Sequence, residues 1–203
     1  MTNSPEIYEE CQKLYFNTKY LKFALGFNPQ TNNSEESFRL FVNKFKSAEY
    51  IGEVGLDFSK KILNSNKKQV YFFDEIVKMC SDSNKILSVH SRLAEEKVIE
   101  IIEKYKPRKC IIHWFSGNKE QLRKLIDLGC YFSINTSMLN DKIFLIPKDR
   151  ILMESDGPFT KVNGKKYQPQ LLKEQYKIIS NYLRINNLDD LMYNNFFSIL
   201  TLR

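Results

Sequence analysis

Hydrophobic and polar positions alternate between two rhythms along the chain. Short apolar-rich runs, Leu21–Gly26, Tyr50–Asp57, Ile86–His90, Lys109–Phe115, Tyr131–Asn135 and Arg150–Asp156, read as strands, and most are too continuously apolar to have a solvated face. Between them the apolar residues fall at helical spacing. Phe38, Phe41, Val42 and Phe45 follow the start signal Ser34-Glu35-Glu36, and Val70, Phe73, Ile76, Val77 and Cys80 share one face of a helix over about Gln69–Asp82. Ala94–Tyr105 and Lys119–Leu128 read as helices, the second stopped by Gly129. Ser4-Pro5-Glu6 opens a first helix, Ile7–Phe16, while Pro169–Arg184 and Leu188–Leu200 form two last ones.

Strand and helix therefore alternate six times, which predicts a parallel α/β protein with right-handed crossovers. No Gly-rich phosphate loop follows any strand, so a TIM-type (β/α) barrel is expected over a doubly wound sheet. Eight strands close such a barrel. The six strands here predict one incomplete domain over residues 1–203 with the first one or two strands missing. The edges of the Leu21–Gly26 and Arg150–Asp156 strands should then lie open to a partner chain or a missing N-terminal segment.

Composition narrows the class only a little. With 203 residues, 42% hydrophobic and 27% charged, the chain reads as a soluble globular protein. No run reaches the roughly 18 apolar residues of a membrane helix, and the N-terminus has no apolar signal segment. The four cysteines (Cys11, Cys80, Cys110, Cys130) form no C-x-x-C pair, so buried free thiols in a reducing cytoplasm are expected. The net charge of +7 favours an anionic partner such as nucleic acid.

The candidate chemistry sits at strand ends. Glu53 lies inside an apolar run between Gly52 and Gly55, where a carboxylate is costly unless a metal or hydrogen-bond partner takes its charge. A salt-bridged strand residue is the plain alternative. The two histidines of the chain, His90 and His113, close two further strands, and Asp156 closes another. Such ends converge on one mouth in a barrel, and imidazole with carboxylate suits Zn²⁺, Mn²⁺ or Mg²⁺. Lys60, Lys61, Lys67 and Lys68 follow the Glu53 strand, and Lys161, Lys165 and Lys166 follow the Asp156 strand, in loops without an acid. A lysine rim of this kind suits phosphate, although lysine runs are commonly just solvated. Tyr71, Trp114, Phe115 and Phe159 are candidates to stack on bases, with core packing an equal reading for Phe115 and Tyr71.

The motifs G-E-V-G-L-D at 52–57, H-S-R at 90–92, H-W-F-S-G at 113–117 and E-S-D-G-P at 154–158 are similar in order and spacing to those of the TatD family of metal-dependent deoxyribonucleases. The T-x-S-P opening and G-F-N-P at 26–29 also resemble that family, with Asn28 where a histidine is common. H-W-F-S-G with E-S-D-G-P is closer to the branch found in bacterial anti-phage defence operons of the Qat type. The resemblance implies a metallo-dependent hydrolase barrel with one or two divalent ions, cleaving phosphodiester bonds of DNA. It also implies that Glu53 bridges metals, His90 and His113 bind one of them, and Asp156 is a ligand or a base that orients water. Arg92 and Ser116 would contact phosphate, with a structural ion pair the other reading of Arg92. Glu154 would orient the site or its strand, and Asp57 would fix the loop or a residue behind the ligands. One feature departs from the family pattern: no histidine precedes His90, so the H-x-H pair of the family's first strand is absent from this sequence.

Three activities are compatible with these residues: a metal-dependent nuclease, a metal-poor module that binds nucleic acid on its lysine rim, and a small-ester or amide hydrolase of the amidohydrolase-like group. No strand lysine supports the last.

Overall fold

Six strands lie side by side in the order of the sequence, every neighbouring pair parallel. They are β1 (Ala24–Phe27), β2 (Tyr50–Asp57), β3 (Ile86–Arg92), β4 (Cys110–His113), β5 (Tyr131–Ile134) and β6 (Ile151–Met153). This computed structural model describes residues 1–15, 21–31, 33–59 and 65–202. Helix α1 (Pro5–Leu14) precedes β1, α2 (Glu35–Phe45), α3 (Asn66–Ser81), α4 (Glu95–Tyr105) and α5 (Lys119–Asp127) follow β1 to β4 in turn, and a small hairpin, β7 (Lys161–Val162) with β8 (Lys165–Lys166), leads to α6 (Leu172–Leu183) and α7 (Leu188–Thr201). Several helix starts follow their local signals. Ser4 and Ser34 accept from the amides of Ile7 and Ser37, and Asn118 forms a reciprocal capping box with Gln121.

Alternation along the strands separates two faces. Leu25, Ile51, Val54, Leu56, Leu87, Val89, Ile112 and Phe132 point outward against Phe41, Phe73, Ile76, Ile102, Leu122 and Leu125 of the helices, forming the main core. On the inner face Ile86, Tyr131 and Leu152 meet Ile199 of α7 near the strand beginnings. The strand exits on that same face carry polar groups instead. Gly55, His90, His113 and Ser133 are paired successively across β2 to β5, so they form one row.

The architecture is the expected partial barrel. The sheet edges, expected to be open, are partly covered. The Thr2 hydroxyl donates to the Ala24 carbonyl at 2.8 Å and accepts from the Gly26 amide at 3.1 Å, standing in for a neighbouring strand on β1. On β6 the Asn195 side-chain amide of α7 donates to the Ile151 carbonyl at 2.7 Å. The last strand is also shorter than Arg150–Asp156, because the chain turns at Asp156 with a φ of 43°. Residues 157–168, expected as a loop, contain the β7–β8 hairpin, whose Asn163 and Gly164 both have positive φ as a tight two-residue turn requires.

Candidate metal centre

Glu53 reaches the inner face through a bulge. Between Ile51 and Val54, β2 sets two residues, Gly52 and Glu53, against one residue on each neighbouring strand. A bulge of this kind re-aims a side chain at the cost of one ladder bond. Gly55 makes the next approach possible: a Cβ there would lie 2.0 Å from the His90 carbonyl oxygen.

The two histidines are mounted in opposite senses around one oxygen. His90 Nδ1 lies 2.7 Å from Glu53 Oε1, while its Nε2 lies 3.2 Å from Asp57 Oδ2. His113 Nε2 lies 3.8 Å from the same Glu53 Oε1, while its Nδ1 lies 2.6 Å from Glu154 Oε2. Each ring therefore has one nitrogen tied to a carboxylate and the other turned toward Glu53. Asp156 Oδ1 stands 3.7 Å from His113 Nε2. The other Glu53 oxygen accepts from Asn28 Nδ2 at 3.1 Å.

Behind this set, polar contacts fix the two supporting acids. Asp57 is fully buried; its carboxylate accepts from Gln30 Nε2 at 2.8 Å and from the Ser59 amide at 2.9 Å, and Gln69 brackets its backbone. Glu154 accepts from Asn135 Nδ2 at 2.9 Å and from the Ser133 hydroxyl, and Gln175 donates to its carbonyl. Gln30, Ser133 and Gln175 carry no periodic or strand-end signal, whereas Asn135 closes the expected Tyr131–Asn135 strand and Asn28 stands in G-F-N-P, positions that could have placed both at the site.

Electrostatics follow from this packing. Burial opposes charge on His90, yet its hydrogen bonds to Asp57 and Glu53 prevail and push its pKa up to about 9. Burial likewise disfavours the charged forms of Glu53 and Asp57, but the His90 contacts hold both below the usual carboxylate range. His113 is raised: burial opposes its charge, and Glu154 outweighs that. Asp156 is raised, by burial first, with Glu154 and Glu53 adding and His113 opposing.

Ligand atoms of Glu53, His90 and His113 lie within 4.8 Å of one another. Two donors on one Zn²⁺ stand about 4 Å apart at most, since each sits about 2.1 Å from it. Drawing in by under about one ångström gathers all three, and the carboxylates behind the rings set which nitrogen of each faces Glu53. The donor set fits a divalent cation.

The other expected site residues scatter. Arg92 ends β3, exposed, and makes no ion pair among the described residues. The Ser116 hydroxyl donates to Glu95 Oε1 at 2.8 Å. Lys161 and Lys165 are exposed on the hairpin. Lys60 and Lys61 lie outside the described residues. Phe115 is a core residue against Phe132, whereas Phe159 is 79% exposed.

The chain is also similar to known proteins in sequence and in fold. The sequence profile described as "TatD related DNase" matches residues 1–201. The chain is 31% identical over 119 residues to the "3'-5' ssDNA/RNA exonuclease TatD" of Pantoea ananatis, covering 54% of this chain and 45% of that protein. It is 28% identical over 192 residues to the metal-dependent hydrolase YcfH of Escherichia coli, covering 86% of this chain and 71% of that one. The chain thus spans under half of the exonuclease's length. Among solved structures, the TatD homologue YJJV of Escherichia coli superposes with a TM-score of 0.83 at 20% identity, covering all of this chain and 85% of that one.

Proposed function

From the premise that the chain belongs to the TatD-related DNase family, we propose that it is a metal-dependent hydrolase that cleaves phosphodiester bonds of nucleic acid, DNA foremost. The observation that carries this reading is the opposed mounting of His90 and His113 around Glu53 Oε1, each backed by its own carboxylate. Glu53, His90 and His113 would hold a divalent ion, Mg²⁺, Mn²⁺ or Zn²⁺, with Asp156 beside them. A bound cation supplies positive charge that stabilises phosphate oxygens and eases loss of a proton from water.

The protein's own groups do the rest. Asp156, kept more basic than an ordinary aspartate, accepts the proton of the attacking water as the water oxygen bonds to phosphorus. The ester P–O bond breaks, and the leaving oxygen takes its proton from solvent. Arg92, exposed where β3 meets the mouth, and the lysines 60, 61, 161 and 165 offer charge to flanking phosphates, while Ser116 supports the rim through Glu95. His90 and His113 both face Glu53 Oε1, which supports one cation shared at that point. Four free thiols suit a reducing cytoplasm.

Hydrolysis of single-stranded DNA with Mn²⁺ tests the reading, comparing wild type with His113→Ala and with chelator added. Cleavage by wild type alone supports it. Wild type no faster than His113→Ala ends the enzyme reading and leaves a nucleic-acid-binding module. A defensive role is the finer reading that H-W-F-S-G and E-S-D-G-P support, tested by phage plaque counts with and without His113→Ala.

A further inference from the structure

The turn that carries Asp156 continues into a well-anchored projection. The Phe159 amide donates to the Asp156 carbonyl at 3.0 Å, so one turn separates the Phe159 ring from the candidate site. Tyr167 packs a ring edge against this turn: a Cβ on Gly157 would stand 2.6 Å from its Cδ1. The Tyr167 amide donates to Thr160 at 2.9 Å, and the buried Thr160 hydroxyl donates to the Ser155 carbonyl. Farther out, Thr136 donates to the Lys161 carbonyl at 2.8 Å, Val162 is buried, and Asn163 donates to Glu174 of α6 at 3.0 Å. The projection is pinned at base, middle and tip.

What it presents is unusual for a pinned surface. Phe159, at 79% exposure, is the most exposed large apolar side chain among the described residues. Lys161 and Lys166 are paired directly across the hairpin and so share a face, and neither makes an ion pair among the described residues. Like charges set opposite each other on paired strands are destabilising. A lone exposed phenylalanine or a lone lysine is ordinary surface. A bare ring one turn from Asp156, on the same rigid element as two unneutralised facing cations, fits a ligand that brings both a planar face and negative charge.

We propose that residues Asp156–Tyr167 form a fixed arm that grips nucleic acid beside the metal centre, Phe159 stacking on a base while Lys161 and Lys166 together take a backbone phosphate. This rests on the nucleic-acid reading above and adds the element that holds the strand. Because the arm is already ordered, the grip avoids the entropy of fixing a loop.

Fluorescence anisotropy with a labelled oligothymidylate, in chelator so that nothing is cut, measures the grip. Phe159→Ala should weaken binding about 10-fold, and Phe159→Trp should restore it. The double variant Lys161→Gln, Lys166→Gln should flatten the salt dependence of binding by a slope of about 1. It should not lower the melting temperature, since it removes a repulsion. The proposal is overturned if Phe159→Ala binds within about twofold of wild type, if the lysine variant keeps the full salt slope, or if wild type does not bind the oligomer. Hydrolysis of bis(4-nitrophenyl) phosphate by wild type with Mn²⁺ tests the parent reading separately, because that diester has no base to stack and no strand to hold.

Discussion

Glu154 Oε2 lies 2.6 Å from His113 Nδ1, and that contact decides which nitrogen of the ring faces Glu53. Asp57 makes the corresponding decision for His90 from the other ring nitrogen. Both nitrogens that face Glu53 are thus set by acids that belong to different strands' exits, and the two rings come to rest with centroids 6.3 Å apart.

Glu154→Gln should therefore lower metal affinity without unfolding the protein. Loss of a carboxylate behind a ligating histidine typically costs about 10–100-fold in affinity. Titration calorimetry with Mn²⁺ reads the change, with circular dichroism as the check on fold. An unchanged affinity would remove Glu154 from the site.

Gly55→Ala should be among the most destabilising small changes available. Its Cβ would meet the His90 carbonyl oxygen at 2.0 Å, and the residue holds a φ of 145°. A cost of about 3 kcal/mol or more is expected, read from urea unfolding curves.

The metal-free protein should lose stability as the medium becomes alkaline. His90 titrates near pH 9 in the fold against 6.5 for an ordinary histidine, so its paired, charged form contributes fully below about pH 6.5 and is lost through about pH 9. Asp57, held low by His90, Ser59 and Gln30 against the opposing effect of burial, works at the other end: its contribution is present above about pH 4 and is lost on acidification. Melting temperatures in chelator should fall from pH 6.5 to 9 in wild type and show a flatter profile in His90→Gln. Metal affinity should run the opposite way, rising with pH, since the cation competes with the proton on His90.

Thiol reactivity should be confined to Cys11. Burial pushes Cys80 up to about 12, and Cys110 is raised well above the ordinary range by its Cys130 contact and by burial. Cys80, Cys110 and Cys130 are buried and Cys11 is half-buried on α1. One equivalent of a chromogenic disulfide reagent should react quickly at pH 8, and Cys11→Ser should abolish that fast phase. Four rapid equivalents would mean that the three interior thiols open readily.

Much of this was legible in residue order. The six apolar runs became six parallel strands, and the strand-end positions of His90 and His113 placed them in one row. The bulge at Gly52–Glu53 was not legible, because two glycines announce room for an approach but not which strand carries the extra residue. The hairpin could have been found from Asn163-Gly164 between Lys161-Val162 and Lys165-Lys166. Its lysine-rich flanks masked the strand pattern. The supporting amides Gln30 and Gln175 act across elements, through contacts that no local spacing encodes.

The two-for-one count in β2 has a genealogical side. Ile51 and Val54 both face the helices although three positions separate them, so the halves of the strand run out of phase and the extra residue absorbs the difference. Removing one codon at Gly52 would bring the strand back into simple alternation, with both halves still matched to β1 and β3. Glu53 would keep its place on the inner face, one residue before Val54, and only its spacing from Ile51 would change. An in-frame indel at this position is thus one the sheet can absorb, moving the carboxylate along the strand without turning it to the helix side.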